Sequence, residues 1–457
     1  MLLKSAWKAR LGEGASPSER LAAAMAADIL DGKIETGGRL PAHRDLAFQL
    51  GIGVGAVTRA YAVLERRGLV RSVKGRGTFV AAVRGRGASV IDLGQNTPPA
   101  MLSERVLGQT LRRLSHRIDP SMLTAYPPPA GHDEHRRLMA AWFADLGVTA
   151  EAERLILCNG AQQALSLVFR LLAKDTMIVT EAFTYPGAIA LMNDNDYRSV
   201  GIWLDRDGML PDELEKVLCV KQGPKPKVVY VTPTMHNPTT ATMTLARREE
   251  IVAVCRRYDA WIVEDDVYAL SAANDVPALV NLAPERTFYI NGLSKTLSPG
   301  LRLGALLVPR PFIVKAEATI RASGLFASPL SCAVMGEWLA SGIAHSMRAS
   351  VREEAKRRRS LALSMLGDAV ETPLHDGFHL WIPMSRPSAD QIATAAAALG
   401  VNVTSPDSVT VDAGNNASGI RLCLGGPSLV DLSTGLIGIA GLLGRLRYST
   451  PHIHPVA

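Results

Sequence analysis

Apolar residues recur every three or four positions in three stretches near the start of the chain. This spacing predicts three helices, over residues 19–31, 43–50 and 54–67. Two short apolar runs, residues 69–71 and 77–80, then predict a pair of strands joined by a tight basic turn. The positions predicted to face the core of the three helices are Leu21, Met25, Ile29, Leu46, Ala47, Leu50, Val57, Ala60, Tyr61 and Leu64.

From about residue 101 to residue 448, short apolar runs rich in β-branched residues alternate with longer helical patterns. Such alternation is typical of an α/β fold in which helices cover a mostly parallel sheet. Residues 81–100 are rich in Arg, Gly, Asn and Pro, lack helical periodicity and are predicted to form a linker. The chain is therefore predicted to contain a small helical domain over residues 1–80, a linker over 81–100 and a large α/β domain over 101–448.

The positive charge of the chain is concentrated in its first fifth. Residues 1–90 contain 15 Lys and Arg against 7 Asp and Glu, whereas the whole chain of 457 residues carries a net charge of +7. This asymmetry suggests that the N-terminal segment alone binds a polyanion, although charge by itself is equally compatible with a solvated basic surface.

Composition excludes several other classes of protein. The five cysteines are far apart and odd in number, which is typical of neither a disulfide framework nor a metal site. No uninterrupted apolar run approaches the ~18 residues that cross a bilayer, and the first residues lack the pattern of a signal peptide. We therefore expect a cytoplasmic protein with no metal and no membrane partner.

Three helices followed by a basic hairpin form the pattern of a winged helix-turn-helix, in which the third helix enters the major groove and the hairpin holds phosphates. Residues 38–41, 44–47, 58–61 and 75–80 carry a resemblance to the GntR family of regulators. The resemblance implies double-stranded operator DNA as the partner. Residues 53–56 lack the polar side chains that are common there in the family. The predicted DNA contacts are therefore Arg44, Thr58 and Arg59, with Lys74 and Arg76 in the wing. A winged helix used only for protein contacts is the alternative.

The run at residues 291–304, NGLSKTLSPGLRLG, resembles the lysine motif of fold type I pyridoxal-phosphate enzymes. The resemblance implies that Lys295 condenses with the cofactor aldehyde, because a lysine amine is the group that forms such a Schiff base. It also implies that Ser294 and Arg302 bind the phosphate, since arginine offers a planar fork to phosphate oxygens. The implied fold is a fold type I transferase domain with a small C-terminal α+β subdomain.

Further positions match the same family in the same order along the chain. The resemblance implies that Gly160, Ala161 and Gln162, at the start of a helix, bind the phosphate and that Tyr185 stacks on the cofactor ring. It implies that Asn237 and Tyr268 form hydrogen bonds to the phenolic oxygen and that Asp265 forms an ion pair with the ring nitrogen. It also implies that Tyr126 contacts the phosphate across a dimer and that Arg421 binds a substrate or effector carboxylate.

A GntR-type head joined to an aminotransferase-like body is the pattern of the MocR subfamily. This resemblance implies a homodimeric, PLP-dependent transcription regulator that senses a small amino acid or amine by external aldimine formation, in which the effector displaces Lys295. The alternative is an aminotransferase of class I/II with a secondary DNA-binding domain. A protein that both transaminates slowly and regulates, and a DNA-binding module with an inactive body, are two further alternatives.

Overall fold

The computed structural model describes residues 7–449 except residues 8, 13, 15, 31–32, 35–36, 67–68, 74–76, 81–89, 173–175, 221–225, 270–275, 371–376 and 413–415. The chain divides into two compact units. The head unit comprises residues 1–93, 396–402 and 426–457, and the body unit comprises residues 94–395 and 403–425.

The helices are α1 (Pro17–Leu30), α2 (His43–Leu50), α3 (Val54–Arg66), α4 (Glu104–Arg117), α5 (Ser121–Thr124), α6 (Asp133–Ala144), α7 (Ala161–Leu172), α8 (Pro186–Asp194), α9 (Pro211–Leu218), α10 (Leu245–Arg257), α11 (Leu279–Leu282), α12 (Ile313–Ser323), α13 (Pro329–Ala340), α14 (Ile343–Leu366), α15 (Arg386–Ala398), α16 (Pro406–Val409) and α17 (Leu429–Ser449). The strands are β1 (Val70–Val73), β2 (Gly77–Val80), β3 (Ile91–Asp92), β4 (Leu155–Cys158), β5 (Met177–Glu181), β6 (Arg198–Ile202), β7 (Leu204–Asp205), β8 (Gly208–Met209), β9 (Pro226–Val231), β10 (Trp261–Asp265), β11 (Thr287–Gly292), β12 (Gly304–Leu307), β13 (His379–Ser385), β14 (Val401–Asn402) and β15 (Ala417–Cys423).

The three N-terminal helices have the bounds that apolar spacing predicts, to within two residues. Nine of the ten positions predicted to face inward are buried, and the tenth, Leu50, is half-buried at the end of α2. The turn after α2 is made by Gly51, whose φ of +64° lies in the left-handed region that glycine adopts without strain. This sharp turn sends the chain directly from α2 into α3.

The predicted pair of strands forms the antiparallel hairpin β1–β2, in which Val70 pairs with Val80 and Val73 pairs with Gly77. The first strand begins one residue later and ends two residues later than predicted. The tip of the hairpin, with Lys74 and Arg76, lies outside the described residues. Residues 91–92, within the predicted linker, form β3, which pairs in parallel with β14 in the head unit.

The body unit is built on a seven-stranded sheet with the order β4-β12-β11-β10-β9-β5-β6. All neighbours are parallel except β12, which is antiparallel to both β11 and β4. The expected mostly parallel α/β sheet is therefore confirmed. Because the carboxyl ends of parallel strands meet at one edge, the segments that follow β5, β9, β10 and β11 converge there, where α/β folds bind ligands.

The sequence shows no uninterrupted apolar run long enough to cross a bilayer, yet α17 meets that criterion by its average composition. Its 18-residue window Leu429–Leu446 is long and apolar enough to cross a membrane by length and composition, and 33% of that window is buried. Small residues keep the window apolar without a continuous run of large side chains, which is why no such run is visible in the sequence. Leu432, Leu436 and Ile439 are fully buried at helical spacing. This stripe is typical of a helix that packs on a protein core.

Candidate functional site

Lys295 lies in the segment that follows β11, and its side chain is largely enclosed. Its Nζ donates a hydrogen bond to the backbone oxygen of Asn96. Burial lowers the pKa of Lys295 to about 8, because the charged ammonium is poorly solvated there. A substantial fraction of the amine is therefore neutral near pH 7–8, and the neutral amine is the form that attacks a carbonyl carbon.

Asp265 occupies the carboxyl end of β10, next to β11 in the sheet. Its Oδ2 accepts a hydrogen bond from the hydroxyl of Tyr230 at 2.9 Å, whereas its Oδ1 is buried and has no partner among the described residues. Burial raises the pKa of Asp265 to about 6, which still leaves the carboxyl ionised at neutral pH. A buried carboxylate oxygen without a partner is stabilised by a hydrogen-bond donor or a cation in the pocket.

Asn237 and Tyr268 come from the segments after β9 and β10 and meet through their side chains. Asn237 Nδ2 donates to the Tyr268 hydroxyl oxygen at 3.1 Å. Arg421, on β15, donates from Nη1 to Asn237 Oδ1 at 2.5 Å. The structure therefore brings together three predicted site residues from three distant parts of the chain.

Arg421 is 4% exposed and is held entirely by neutral acceptors in the structure. Besides Asn237, its Nε donates to Thr404 Oγ1 at 3.0 Å and its Nη2 donates to the Gly94 oxygen at 2.8 Å. Within the described part of the chain it forms no salt bridge. A buried guanidinium without a counter-ion favours an anionic ligand, such as a carboxylate.

The start of α7 and Arg302 form a cradle for an anion. Gly160 has a φ of +90°, and a Cβ on it would lie 2.7 Å from the Arg302 guanidinium, so only glycine permits this approach. Arg302 Nη2 donates to the Asn159 oxygen at 3.2 Å, which holds the guanidinium beside the first turn of α7. The first amides of a helix have no intrahelical acceptors and carry its positive dipole end. The cradle therefore suits a phosphate.

Tyr185 precedes α8 and is half-buried at the edge of the same pocket. A Cβ on Gly187 would overlap the Tyr185 ring, so the glycine makes room for it. Gln162 Nε2 donates to the Gly187 oxygen at 2.8 Å and ties α7 to this turn. The aromatic ring is thus fixed beside the anion cradle.

Most of these side chains line one pocket that encloses roughly 600 Å³, including its open mouth. The lining residues are Ala161, Gln162, Tyr185, Thr232, Asn237, Asp265, Val267, Tyr268, Gly292, Ser294, Lys295 and Arg302. Gly160, Arg421 and Tyr126 are not among them. Arg421 contacts the lining residue Asn237, whereas Tyr126 is 84% exposed and its ring packs edge-to-face on Phe326, with 5.9 Å between the ring centres.

Sequence reasoning did not identify Asn96, Tyr230, Thr232, Val267 and Thr404 as parts of the site. Asn96 lies within the predicted linker, 199 residues before the Lys295 side chain that contacts its backbone oxygen. Tyr230 has an apolar pattern around it that predicts only a buried strand. A polar hydroxyl inside that strand was the only available signal.

The predicted DNA contacts on the described part of the head unit are exposed on α2 and α3. Arg44 lies in the first turn of α2, and Arg59 extends along α3, where a Cβ on Gly55 would lie 3.6 Å from its guanidinium. The Thr58 hydroxyl donates to the Val54 oxygen at 3.0 Å, and His43 Nδ1 lies 3.3 Å from the same hydroxyl. Arg44 and Arg59 form no salt bridge with the described residues, so their charges face solvent, whereas the Thr58 hydroxyl already has partners in the protein.

Both parts of the chain match known families. Residues 17–80 match the bacterial regulatory proteins of the gntR family, and residues 88–432 match the aminotransferase class I and II family. The chain is 27% identical over 454 residues to the uncharacterized HTH-type transcriptional regulator YdeF of Bacillus subtilis, covering 96% of this chain and 97% of that protein. It is also 27% identical over 425 residues to the probable rhizopine catabolism regulatory protein MocR of Rhizobium meliloti, covering 83% and 84%.

The fold is also found in solved enzymes. The kynurenine aminotransferase of Pyrococcus horikoshii, crystallised in complex with PMP, superposes with a TM-score of 0.72 at 24% sequence identity, over 79% of this chain and 92% of that one. At this identity the likeness concerns the fold, while the family matches cover most of the chain. The chain therefore belongs to the aminotransferase class I and II family, carries a gntR-family domain at residues 17–80, and is similar over most of its length to HTH-type transcription regulators such as MocR.

Proposed function

We propose that this regulator holds pyridoxal phosphate at Lys295, binds the α-carboxylate of an amino effector with Arg421 and responds by changing its binding to operator DNA. The observation that carries the proposal is the composition of a single buried region. It combines an amine that is partly neutral with a carboxylate oxygen and a guanidinium that have, among the described residues, no hydrogen-bond donor and no counter-ion respectively.

The residues of the pocket fit pyridoxal phosphate group by group. The cradle of Gly160, α7 and Arg302 suits the phosphate, and the buried Oδ1 of Asp265 lacks a partner that a protonated ring nitrogen would supply. Tyr185 offers an aromatic face, and Ser294 offers a further hydroxyl at the pocket wall. When bound, the cofactor supplies an aldehyde that condenses with amines and a ring that withdraws electrons.

Lys295 has two functions in this proposal. Its lowered pKa allows the amine to bind the cofactor covalently near neutral pH, and the same amine can hold or release a proton once an effector amine has taken its place. Asp265 keeps the ring nitrogen protonated, because burial makes its ion pair with that nitrogen strong.

Effector binding changes the partners of Arg421. A carboxylate that accepts from the guanidinium competes with Asn237 and with the Gly94 oxygen for the same donors. The free and bound states of the site therefore differ in hydrogen bonding, and a ligand that favours one state shifts the population of the protein.

A homodimer is supported by apolar side chains left exposed near Tyr126. Leu123, Leu325 and Leu330 are 57%, 48% and 49% exposed, and large exposed apolar side chains that cluster mark interaction surfaces. In the dimer, Tyr126 of one protomer would reach the phosphate of its partner. A regulator of bacterial DNA acts in the cytoplasm, and the five cysteines are all free thiols, as a reducing compartment requires.

The test combines cofactor spectroscopy with DNA binding. Purified protein is titrated with a panel of amino acids and amines, and its visible absorption is followed together with its affinity for a duplex selected from a random pool by the same protein. We expect a visible band that one ligand shifts, with an accompanying change in DNA affinity. Absence of the band after addition of pyridoxal phosphate would overturn the cofactor assignment.

The second candidate function is transamination, because the pocket contains the neutral lysine amine that proton transfer needs. Rapid conversion of the bound cofactor to its amine form by an amino acid, together with DNA binding that is weak and strongly salt-dependent, would favour an enzyme. Slow conversion with tight binding to the selected duplex would favour the regulator.

The rate at which the cofactor-free protein binds pyridoxal phosphate should depend on pH. Because the neutral amine is the reactive form and the pKa of Lys295 is about 8, the rate is expected to rise with pH, to reach half of its maximum near pH 8 and to level off about one pH unit higher. Stopped-flow absorbance across pH 6–10.5 measures this. A rate that is still rising at pH 10.5, as an ordinary lysine with a pKa of about 10.4 would give, would contradict a lowered pKa.

Arg59→Ala should weaken binding to the selected duplex by about ten- to a hundredfold, the range expected for one lost bidentate contact to a base edge. Arg198→Ala removes the same charge from an exposed position in the body unit and serves as the matched control. Fluorescence anisotropy at fixed salt measures both. Equal losses in the two variants would mean that only the overall charge matters.

A further inference from the structure

The hydroxyl of Tyr268 lies in a buried network that extends from the pocket to residues behind it. Its oxygen accepts hydrogen bonds from Asn96 Nδ2 at 2.9 Å and from Asn237 Nδ2 at 3.1 Å. An amide nitrogen of this kind can only donate. Both bonds therefore use lone pairs of the tyrosine oxygen, and the proton of Tyr268 remains for an acceptor in the pocket that this residue lines.

His379 fixes the orientation of the Asn96 amide. The His379 ring is fully buried, with Nε2 at 3.2 Å from the His236 backbone oxygen and Nδ1 at 3.3 Å from Asn96 Nδ2. A carbonyl only accepts, so Nε2 carries the proton of the neutral ring and Nδ1 is the acceptor. Burial lowers the pKa of His379 to about 3, which keeps the ring neutral. Asn96 must therefore turn Nδ2 toward both His379 and Tyr268.

Arg421 fixes the Asn237 amide in the same manner from the other side. Its guanidinium can only donate, and it donates to Asn237 Oδ1 at 2.5 Å. Asn237 Nδ2 is thereby directed to Tyr268. Two independent constraints thus make the Tyr268 oxygen an acceptor toward the protein.

We propose that His379 and Asn96 are positioning residues that direct the hydroxyl proton of Tyr268 into the pocket, toward the phenolic oxygen of the bound cofactor. The inference rests on the proposed function, since it requires pyridoxal phosphate at Lys295. A hydrogen bond from Tyr268 favours the anionic form of that oxygen. His379 has no direct place at the cofactor in this scheme and acts through Asn96 alone.

The titratable and charged groups that face Tyr268 are Tyr185, Asp265, Lys295, His379, Arg421 and Cys423. His379 is neutral, so replacing it with another neutral residue leaves the charge around Tyr268 unchanged. A change in the titration of the bound cofactor would then report hydrogen bonding instead of a lost charge.

The test compares His379→Leu with His379→Gln in the cofactor-loaded protein. Leucine removes the acceptor that orients Asn96, so the amide can turn and accept the Tyr268 proton. We expect the pH midpoint of the visible absorption of the cofactor to rise by about one to two units, because one hydrogen bond to a charged oxygen is lost. Glutamine can accept from Asn96 and donate to the His236 oxygen, and it should restore the midpoint. An unchanged midpoint in His379→Leu would overturn the proposal.

A second measurement does not depend on the cofactor. In protein with ¹⁵N-labelled histidine and no cofactor, NMR should show His379 as the neutral tautomer protonated at Nε2 throughout pH 6–8. A ring protonated at Nδ1 would overturn the proposal even if His379→Leu cannot be purified. If the protein never binds pyridoxal phosphate, the proposed function fails, whereas the tautomer still decides whether the network is oriented as inferred.

Discussion

Lys295→Ala is expected to abolish the absorption band of the Schiff base between lysine and cofactor, and to weaken cofactor binding by at least about a hundredfold, or about 2.7 kcal/mol. The covalent bond to the lysine amine disappears, while the cradle of Gly160 and Arg302 still holds the phosphate. Residual, non-covalent binding is therefore expected. Difference absorbance and isothermal titration calorimetry with pyridoxal phosphate measure the two effects.

Lys315→Ala is the matched control for this experiment. Lys315 lies exposed on α12, where its Nζ donates to the Leu171 oxygen at 3.3 Å. The substitution removes a lysine side chain that does not line the pocket, so the spectrum of Lys315→Ala should equal that of the wild type. A Schiff-base band that persists in Lys295→Ala would show that another amine carries the cofactor.

Arg421→Ala should make the protein insensitive to α-amino acids in the concentration range that affects the wild type. Loss of one partner of a buried, hydrogen-bonded charge pair costs about 2–5 kcal/mol, equivalent to about 30- to several-thousandfold in affinity. The effector amine still reaches the cofactor, but its carboxylate is left desolvated beside Asn237 and Thr404. Titration of the absorption band with the effector measures the affinity.

Two comparisons separate carboxylate binding from damage to the site. The decarboxylated analogue of the effector should bind the wild type and Arg421→Ala with similar affinity, because it lacks the group that the arginine holds. Arg421→Lys keeps the charge but not the planar fork and should show an intermediate loss. If Arg421→Ala weakens both ligands equally, the arginine acts through the orientation of Asn237 instead.

Local pattern was sufficient to predict α1, α2, α3 and the β1–β2 hairpin, whereas the residues of the cofactor pocket were predicted from the resemblance to fold type I enzymes. Helical spacing identified α1, α2 and α3 because their inward positions form one core, so period and burial coincide. The pocket residues from Gly160 to Arg302 stand at strand ends and helix starts, and each motif is short. The parallel sheet then brings those strand ends together, which is a general property of the fold.

The network behind the pocket could not be predicted in this way. Asn96 contacts His379 across 283 residues, and Arg421 contacts the Gly94 oxygen across 327 residues. The sequence around Asn96, Gly94 and His379 does not indicate these contacts, because the residues come together only when the sheet and the β13–β15 pair are assembled. The DNA contacts of Lys74 and Arg76, and the contribution of Tyr126 to a partner protomer, stay predictions.

The reversed direction of β12 has a consequence for how the chain can vary during evolution. Because β12 runs back beside β11, the short connection between these strands carries both Lys295 and Arg302, so the covalent anchor and the phosphate anchor share one tether of fixed length. A single residue inserted or deleted between Lys295 and Arg302 would lengthen or shorten the chain that joins them by about one residue length, ~3.5 Å. We therefore expect gains and losses of sequence in this lineage to accumulate in the surface loops, while the spacing between these two residues is kept.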